Sequence, residues 1–559
     1  MLKSYFEKIL DITKHRDARE ESYYSNLEDL LKGVAESKGK SDIYITTLPK
    51  KTEAGNPDFR IRDGRQKIIG YIEAKKPSEE QLDYIEETAQ LKRYLHTFPN
   101  LILTNFFEFR LYRNGKLIDK VLVGRPYVIH KLQKIPPVEH QEEFFNLVDK
   151  FFSFSIPNTY TAKSLAIELA KRTRFLRDQV IIEELKEEEE KNTSFILGFY
   201  KAFKDHLITG LSKIDFADLY SQTITFGLFA ARSRAGTAFN RKLAYDYIPH
   251  TIGLLRDVFQ FISLGDVPTA MEWIIDDISE VLAVSDVHKI MHNFYKEGKG
   301  KDPIVHFYET FLAEYDPQER EKRGVYYTPE PVVSYIVNSL HLLLKERFDK
   351  EDGFATQEVT VLDPAAGTLT FLAWAAKLSC EEYLYKWGEG GIKDLIKEHI
   401  LKNFYALELM MAPYAVGHLK MSFLLEELGY KLQKDDRFKL YLTNTLEMEE
   451  LAQIDLPGMA ALSKESHLAG KLKKEIPILV VIGNPPYSVS SANKSKFLEG
   501  YFAKKEGRDK RGKIRILKVH ERGILDDYKD DVKDETNIQP LSDDYIKFIR
   551  FAHYKIEQA

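Results

Sequence analysis

The sequence predicts an α/β protein built from three consecutive parts, and three observations support this. The chain has 559 residues, too many for one core and enough for about three domains at roughly 150 residues each. Apolar stretches of strand length with Asp-Gly and Asn-Gly turns fill the first part, and strand-loop-helix repeats fill the last. The middle is helical in period and highly charged. We therefore expect an α/β domain at 1–135, a helical connector at 136–320 and a doubly wound, Rossmann-like domain at 321–559.

The composition is that of an ordinary globular protein. Hydrophobic residues make up 43% and charged residues 30%, which suits packed cores. The formal net charge of −5 gives no global footprint for nucleic acid, although a local basic groove remains compatible with it. The single cysteine, Cys380, allows no internal disulfide and argues against a zinc cluster. Because no signal peptide and no membrane-length apolar run occurs, we expect a cytoplasmic protein.

In the first part, helical periodicity over residues 1 to 40 gives way to strands. The segments with strand character are "SDIYITTLP", "NPDFRIRDG", "RQKIIGYIEAKKP" and "LILTNFFEFRLYRNGKLI". Between the third and the fourth, "SEEQLDYIEETAQLKRYLHTF" predicts a helix. In the connector, the acidic run Glu183 to Glu190 predicts a solvated helix face. No phosphate-binding Gly-x-x-x-x-Gly-Lys-Ser/Thr motif occurs, so an ATP-driven motor is not supported.

The third part places polar residues at the ends of successive predicted strands. In "VTVLDPAAGTLTFL" a strand ends at Asp363, a tight loop reaches Gly367, and a helix begins near Thr370. One glycine beside an acidic residue favours an uncharged or cationic ligand over a pyrophosphate. Glu408 and Asn444 end the next two strands, "NFYALE" and "LYLTN". Each acidic residue alone could also be a helix cap or a solvated loop charge.

The strand "VVIG" leads into a rigid corner formed by Asn484, Pro485, Pro486 and Tyr487. Two consecutive prolines cannot continue a strand, and they add no backbone donor. Taken alone, the four residues could be a simple turn. Their place after a strand and two other strand-end signals favours a functional corner.

In this order, "YYTPEPVV", "LDPAAGTLTFL", "ALE", "TNTL" and "IGNPPY" resemble the S-adenosylmethionine-dependent adenine-N6 DNA methyltransferases of the gamma arrangement. The resemblance covers about 320 to 559. It departs from the family at two positions, since Leu369 stands where a second glycine is usual and Asn444 where Asp is frequent. We expect altered cofactor affinity more than lost binding. The cofactor-binding residues that the resemblance implies are Thr328, Pro329, Asp363, Ala365, Gly367, Glu408 and Asn444.

The corner would then solve a chemical problem, because the exocyclic nitrogen of adenine is a poor nucleophile. If the Asn484 side-chain oxygen and the Pro485 carbonyl accept its hydrogens, the nitrogen becomes more tetrahedral and its lone pair points at the methyl donor. Tyr487 would stack on a base flipped out of double-stranded DNA. The same four residues occur in enzymes that methylate a glutamine amide in proteins, an alternative that leaves the first 140 residues unexplained.

A second chemistry is indicated near the N-terminus. Because side chains alternate along a strand, Glu73 and Lys75 share a face, and a hairpin can bring Asp58 beside them. Two carboxylates suit Mg²⁺, and the ammonium group can neutralise phosphate charge. The pattern resembles the PD-(D/E)xK nuclease superfamily. Gln90 and Tyr94 resemble the Gln-x-x-x-Tyr helix of type I restriction nuclease domains, and we expect Glu28 to add a metal ligand.

The combination resembles the single-chain restriction-modification enzymes of type IIG or type IIL, which methylate adenine and cut unmodified DNA. Related type ISP proteins insert a helicase, which this sequence lacks. In such enzymes more strands and a target-recognition domain follow the corner, so we expect a C-terminally truncated form. It could be half of a split enzyme with a separate chain for recognition, or an inactive DNA- and cofactor-binding remnant.

Overall fold

The computed structural model describes residues 1–15, 18–40, 42–48, 56–64, 67–154, 161–206, 208, 210–236, 238–249, 252–265, 267–287, 289–290, 303–316, 328–433, 436–448, 460–487, 496–508, 514–535 and 537–558. Tyr326 and Tyr327 of the predicted "YYTPEPVV" segment lie outside the described residues. By contact density the chain divides into two compact units. The first unit comprises Met1–Glu187, Thr237–Asn240 and Val267–Asp286, and the second comprises Glu188–Gly236, Arg241–Asp266 and Val287–Ala559.

The strands come in three sheets. One sheet has the order β1-β2-β3-β4-β5-β6, a second has the order β10-β7-β8-β9, and β11 pairs with β12. The strands are β1 (Tyr44–Thr47), β2 (Phe59–Arg62), β3 (Ile68–Ala74), β4 (Asn100–Thr104), β5 (Glu108–Arg113), β6 (Lys116–Leu122), β7 (Val361–Asp363), β8 (Phe404–Glu408), β9 (Lys439–Leu442), β10 (Val480–Val481), β11 (Tyr501–Arg508) and β12 (Ile514–Glu521).

The α-helices of the first half of the chain lie before, within and after the first sheet. They are α1 (Leu2–Lys14), α2 (Tyr24–Ser37), α3 (Leu82–Glu86), α4 (Ala89–Thr97), α5 (Pro126–His130), α6 (Gln141–Phe152), α7 (Ala162–Phe175), α8 (Ile182–Lys191), α9 (Ile196–His206), α10 (Lys213–Arg234), α11 (Arg241–Tyr247), α12 (Gly253–Phe259) and α13 (Thr269–Ala283).

The remaining α-helices alternate with the strands of the second sheet and follow it. They are α14 (Pro303–Tyr315), α15 (Glu330–Arg347), α16 (Thr370–Trp387), α17 (Ile392–Leu395), α18 (Leu401–Asn403), α19 (Met411–Glu427), α20 (Ala460–Lys474), α21 (Lys496–Glu499), α22 (Asp526–Asp531) and α23 (Asp544–Glu557).

In the first unit, the six-stranded sheet is mixed. β3 and β4 run parallel, and the other neighbouring strands are antiparallel. Helix α1 buries Leu2, Phe6 and Ile9, spaced three to four residues apart, in a core shared with α2, α6 and the sheet. In the β2–β3 hairpin Phe59 pairs with Ile72, so the residue before Phe59 lies beside the residue after Ile72.

In the second unit, the four-stranded sheet is parallel throughout. The chain runs outward from β7 to β8 and β9, and then returns to place β10 on the other side of β7. Such a reversal is the switch point at which open α/β sheets bind ligands, beyond the carboxyl ends of the strands. The expected α/β class with a doubly wound, Rossmann-like sheet is therefore confirmed.

Helices from the expected connector belong to both compact units. Helices α7 and α13 lie in the first unit, whereas α9 to α12 and α14 lie in the second. Within the second unit α10 is almost entirely buried, and Arg234 at its end donates to the Ser422 hydroxyl of α19 at 2.8 Å. The boundaries 1–135, 136–320 and 321–559 stay predictions.

Local structure differs from the sequence prediction at three places. The helix expected over "SEEQLDYIEETAQLKRYLHTF" is two helices, because Thr88 caps α4 by accepting from the Leu91 N–H at 3.2 Å. The segment "LILTNFFEFRLYRNGKLI", predicted as strands with an Asn-Gly turn, has a further break after Thr104 and forms β4, β5 and part of β6. The acidic run Glu183 to Glu190 is only partly solvated. Glu188 is buried and accepts from the N–H groups of residues 195, 196 and 197 at 2.8 to 2.9 Å, at the beginning of α9.

Candidate active site

Carboxylates lie at the carboxyl ends of two adjacent parallel strands, as the sequence predicts. Asp363 ends β7 and Glu408 ends β8, and both are buried. The Glu408 carboxylate accepts from the Gly367 N–H at 2.7 Å and from the Met410 N–H at 2.7 Å. Glu408 therefore holds the loop after β7 against the end of β8.

Only one of the two carboxylate oxygens of Asp363 accepts a hydrogen bond from the described residues. Oδ1 accepts from the Ala365 N–H at 3.2 Å. Oδ2 is buried and has no hydrogen-bond partner among the described residues. Gly483 follows the adjacent strand β10, and a Cβ at this position would lie 2.5 Å from Asp363 Oδ1. Only glycine therefore lets the backbone before Asn484 pass this carboxylate. The proline corner thus begins directly beside Asp363.

Burial changes the proton affinity of both carboxyl groups. Burial, aided by the charge of Glu408, raises the pKa of Asp363 to about 8. Burial likewise raises the pKa of Glu408 to about 7. A buried carboxylate with an unpartnered oxygen favours a ligand that brings positive charge or hydrogen-bond donors. This agrees with the ligand class expected from the loop sequence.

The loop after β7 keeps a glycine-like backbone although Leu369 replaces the second glycine. Gly367 has a φ of +52° and Leu369 a φ of +62°, both left-handed. The Leu369 side chain is fully buried against α19, where a Cβ at Gly417 would lie 3.1 Å from its Cγ. Burial of this side chain offsets the conformational cost, so the departure from the family pattern preserves the course of the loop.

The proline corner is tied to the segment that precedes α15. Asn484 donates from its side-chain nitrogen to the Thr328 hydroxyl at 3.1 Å, and Tyr487 donates its hydroxyl to the Asn484 side-chain oxygen at 2.6 Å. The Tyr487 ring is 55% exposed and stacks on the Tyr545 ring with centroids 5.9 Å apart. Pro485 and Pro486 lie between them with trans peptide bonds, and Pro329 directly precedes α15. Asn484 and Thr328, far apart in sequence, are therefore neighbours.

In the first unit, Asp58 and Glu73 are buried side by side at the β2–β3 hairpin. Asp58 accepts from the Tyr24 hydroxyl at 2.5 Å and from the Ala74 N–H at 2.6 Å. Lys75 forms an ion pair with Glu73 Oε1 at 2.5 Å, while Glu73 Oε2 is buried without a partner among the described residues. Burial, followed by the charge of Asp58, raises the pKa of Glu73 to about 8. The hairpin geometry expected from the sequence is present.

The neighbouring residues differ in part from expectation. Gln90 donates to the Tyr94 hydroxyl at 2.9 Å. Burial, followed by the charge of Glu73, raises the pKa of the fully buried Tyr94. Glu28, the expected additional metal ligand, forms an ion pair with Lys32 at 2.6 Å. The carboxylate that shares the Tyr24 hydroxyl with Asp58 is instead Glu20, at 3.2 Å. Glu20 precedes Tyr24 by one helical turn. This spacing is visible in the sequence and could have identified Glu20 as a neighbour of the site.

Two features are absent from the part of the chain that the structure describes. No group of three or more His, Cys, Asp or Glu side chains in that part of the chain has the arrangement of a metal site. No described helix has the length and apolar character needed to cross a membrane.

A comparison with protein families identifies part of the second unit. Residues 299–514 match the family described as N-6 DNA Methylase, and this range contains Asp363, Glu408 and the proline corner. The chain therefore carries an N-6 DNA methylase domain. Such a domain implies S-adenosylmethionine as the methyl donor. No curated protein matches the chain in a sequence comparison.

Solved structures similar to the chain are much longer proteins. The ATP-dependent type ISP restriction-modification enzyme LlaBIII bound to DNA is similar with 20% identity and a TM-score of 0.50, over 74% of this chain and 25% of that chain. A DrdV–DNA complex is similar with 20% identity and a TM-score of 0.48, over 100% of this chain and 49% of that chain. The chain thus spans half or less of these proteins, and the likeness to LlaBIII is one of fold.

The methylase domain contains a buried lysine that the sequence reasoning did not single out. Lys473 of α20 donates to the Thr443 hydroxyl at 2.8 Å, to the Asn444 carbonyl at 2.6 Å and to the Glu447 carbonyl at 2.8 Å. Asn444 itself accepts from the Leu446 N–H at 3.1 Å. Burial lowers the pKa of Lys473 to about 7. Lys473 therefore fixes the loop after β9 that carries Asn444, and a lysine late in a Lys-rich helix gives no sequence signal for this role.

Proposed function

We propose that this protein transfers a methyl group from S-adenosylmethionine to the N6 atom of adenine in DNA. We further propose that its N-terminal unit cleaves DNA with Mg²⁺, as in a restriction-modification enzyme. The observation that carries the methylation proposal is the position of Asn484. Its backbone approaches Asp363 through Gly483, and its side chain reaches Thr328.

The residues at the strand ends suit S-adenosylmethionine, which supplies an electrophilic methyl group and carries two positive charges. The unpartnered Oδ2 of Asp363 can accept from the ligand's ammonium group. Glu408, at the end of β8, suits the two ribose hydroxyls, and Asn444 suits the adenine ring of the cofactor. Ala365 and Gly367 provide backbone along the same loop, and Thr328 with Pro329 would flank the methionine part.

The proline corner is proposed to activate the target amine. The Asn484 side-chain oxygen and the Pro485 carbonyl would accept both hydrogens of the exocyclic nitrogen, which directs its lone pair outward. Pro486 adds no competing donor and fixes the backbone. The exposed Tyr487 ring offers a stacking face for the extruded base. Catalysis in this scheme is alignment of the amine with the methyl group.

The direct test is label transfer in vitro. The full chain is incubated with isotopically labelled S-adenosylmethionine and duplex DNA from a host that lacks adenine methylation. We expect label in DNA with the parent and none with Asn484→Ala. The matched control is Asn338→Ala, because Asn338 is exposed on α15 and hydrogen-bonds only locally among its described contacts. Label found in protein and not in DNA would favour glutamine-amide methylation, and equal transfer by Asn484→Ala would refute the assignment.

The nuclease proposal is supported by the buried carboxylates of the β2–β3 hairpin. Asp58 and Glu73 would hold Mg²⁺, which supplies charge neutralisation at the scissile phosphate. The unpartnered Glu73 Oε2 and its raised pKa, about 8, suit a site whose carboxylate ionises when a cation binds. Lys75 would counter charge that develops on phosphate, and Gln90 would orient the neighbouring Tyr94 hydroxyl.

A further inference from the structure

A second aromatic ring, from a distant part of the sequence, lies against the proline corner. The Tyr545 ring stacks on the Tyr487 ring with centroids 5.9 Å apart and ring planes inclined by 24°. A nearly parallel pair of rings at this distance is a favourable aromatic contact. Tyr545 covers one face of the Tyr487 ring, which is still 55% exposed. An extruded base therefore has to stack on the opposite face.

Tyr545 belongs to a helix that is firmly anchored in the second unit. It lies in the first turn of α23. Phe548 and Phe551, in the following turns, are buried in the core that also contains side chains of β7 and β8. Near the other end of α23, the fully buried Lys555 donates to three backbone carbonyls at the end of α20, at 2.9 to 3.1 Å. The position of the Tyr545 backbone is therefore fixed by packing and hydrogen bonds on both sides of the helix middle.

The Tyr487 side chain has one other polar or aromatic contact among the described residues. Its hydroxyl donates to the Asn484 side-chain oxygen at 2.6 Å. In the proposed reaction the target amine donates to this same oxygen, so base entry displaces the Tyr487 hydroxyl. The contact with Tyr545 does not involve that oxygen and can persist while the base is bound. The aromatic stack is thus the contact that can hold the Tyr487 ring during methyl transfer.

We infer that Tyr545 is a positioning residue for the proposed methylation of adenine, because its ring holds the Tyr487 ring in the orientation on which the extruded base stacks. A ring that is already oriented loses less conformational freedom when the base arrives. This inference rests on the proposed function and extends it to a residue outside the corner. Since Tyr545 acts through Tyr487, its contribution should disappear when the Tyr487 ring is removed.

The test is a double-mutant cycle in the full chain, with Tyr545→Ala, Tyr487→Ala and the variant that carries both substitutions. Transfer of label from S-adenosylmethionine to duplex DNA from a host without adenine methylation gives kcat and KM. Titration calorimetry gives the affinity for S-adenosylmethionine alone. Tyr545→Phe keeps the ring, whereas Tyr545→Leu keeps an apolar side chain without a ring. The matched control is Tyr385→Ala, because Tyr385 is 88% exposed on α16.

Tyr545→Ala should lower kcat about three- to fivefold, which is within the range that one aromatic pair contributes. Its affinity for S-adenosylmethionine should stay within about twofold of the parent. In the Tyr487→Ala background, Tyr545→Ala should lower kcat by less than about 1.5-fold, because the two rings act as a unit. Tyr545→Phe should restore the kcat of the parent, and Tyr545→Leu should be as impaired as Tyr545→Ala. Tyr385→Ala should keep the parent's kcat.

A Tyr545→Ala protein with the parent's kcat overturns the inference. An equal loss in both backgrounds, or a matching loss of S-adenosylmethionine affinity, also overturns it, because Tyr545 would then act through the general fold. If Tyr487→Ala turns over too slowly to measure, equal kcat values for Tyr545→Phe and Tyr545→Leu overturn the inference. A parent that transfers no label to DNA overturns the proposed function as well, whereas every other result named here leaves that function standing.

Discussion

The Tyr487 hydroxyl donates to the side-chain oxygen of Asn484 at 2.6 Å, the atom proposed to receive a hydrogen of the target amine. The tyrosine therefore occupies this acceptor before the base arrives. Base entry has to break one hydrogen bond and form another at the same oxygen. This exchange makes the hydroxyl and the ring of Tyr487 separable in an experiment.

Tyr487→Phe should lower the KM for DNA by about two- to fivefold and leave kcat within about twofold, because a competing hydrogen bond of roughly 1 kcal/mol is removed while the stacking ring remains. Tyr487→Ala should lower kcat at least about tenfold, since base stacking is worth about 1–3 kcal/mol. Steady-state label transfer measures both. Tyr545→Phe is the control, because it removes the hydroxyl of the stacked neighbour. If Tyr487→Phe and Tyr487→Ala lowered activity equally, the proposed competition between the Tyr487 hydroxyl and the target amine for the Asn484 oxygen would be refuted.

Affinity for S-adenosylmethionine should increase with pH. Asp363 and Glu408 have pKa values raised to about 8 and about 7 without a ligand, and a cationic ligand binds their ionised forms. At low pH both carboxyl groups must lose a proton when the ligand binds, which weakens the affinity. At high pH they are already ionised before the ligand binds. Ionisation of Asp363 alone should make binding about 50-fold tighter at about pH 8 than at about pH 6, as measured by titration calorimetry. Asp363→Asn should flatten this dependence, and a parallel profile in that variant would contradict the assignment.

The cost of replacing Lys473 should depend on pH. Its pKa is lowered to about 7 in the folded protein, whereas an unfolded lysine keeps its proton to about pH 10.4. The unfolded state therefore binds more protons between these values, and the contribution of Lys473 to stability increases as pH rises. Urea unfolding should show that the free-energy difference between the parent and Lys473→Met is about 2 kcal/mol larger at pH 9 than at pH 7. A difference that does not change with pH would mean that Lys473 is not titrating in this range.

DNA cleavage should depend on Glu20 and not on Glu28. Glu20 shares the Tyr24 hydroxyl with Asp58, whereas Glu28 pairs with Lys32. In nicking assays with Mg²⁺ and supercoiled plasmid, Glu20→Gln and Lys75→Ala should each lose at least about tenfold in rate, while Glu28→Gln should stay within about twofold. Unchanged nicking by Lys75→Ala would remove the nuclease proposal. If only Glu28→Gln lost nicking activity, Glu28 would be the metal ligand, as the sequence predicts.

The strand ends of the methylase domain could be predicted from the sequence because short apolar runs stop at polar residues. Asp363, Glu408 and Asn484 were placed in this way, and the sheet order brings their strands side by side. The backbone of the loop at Leu369 could not be predicted, because a left-handed leucine is tolerated only when its side chain is buried by another helix. Tertiary packing determines that conformation.

Two other features depend on contacts that a linear pattern does not record. Glu188 lies within a charged run, yet it caps α9 from a buried position. The segment that forms β12 alternates Ile514 and Ile516 with Arg515, but the surrounding basic residues make the sequence look polar. In both cases charge composition concealed a structural role.

The most direct test of the central claim is identification of the modified base. Plasmid DNA from a host without adenine methylation, expressing either the parent or Asn484→Ala, is digested to nucleosides and analysed by mass spectrometry. The account predicts N6-methyladenine with the parent and none with Asn484→Ala. Its absence with a well-expressed parent, or equal amounts with both proteins, would contradict the claim that the corner at Asn484 directs methylation of adenine.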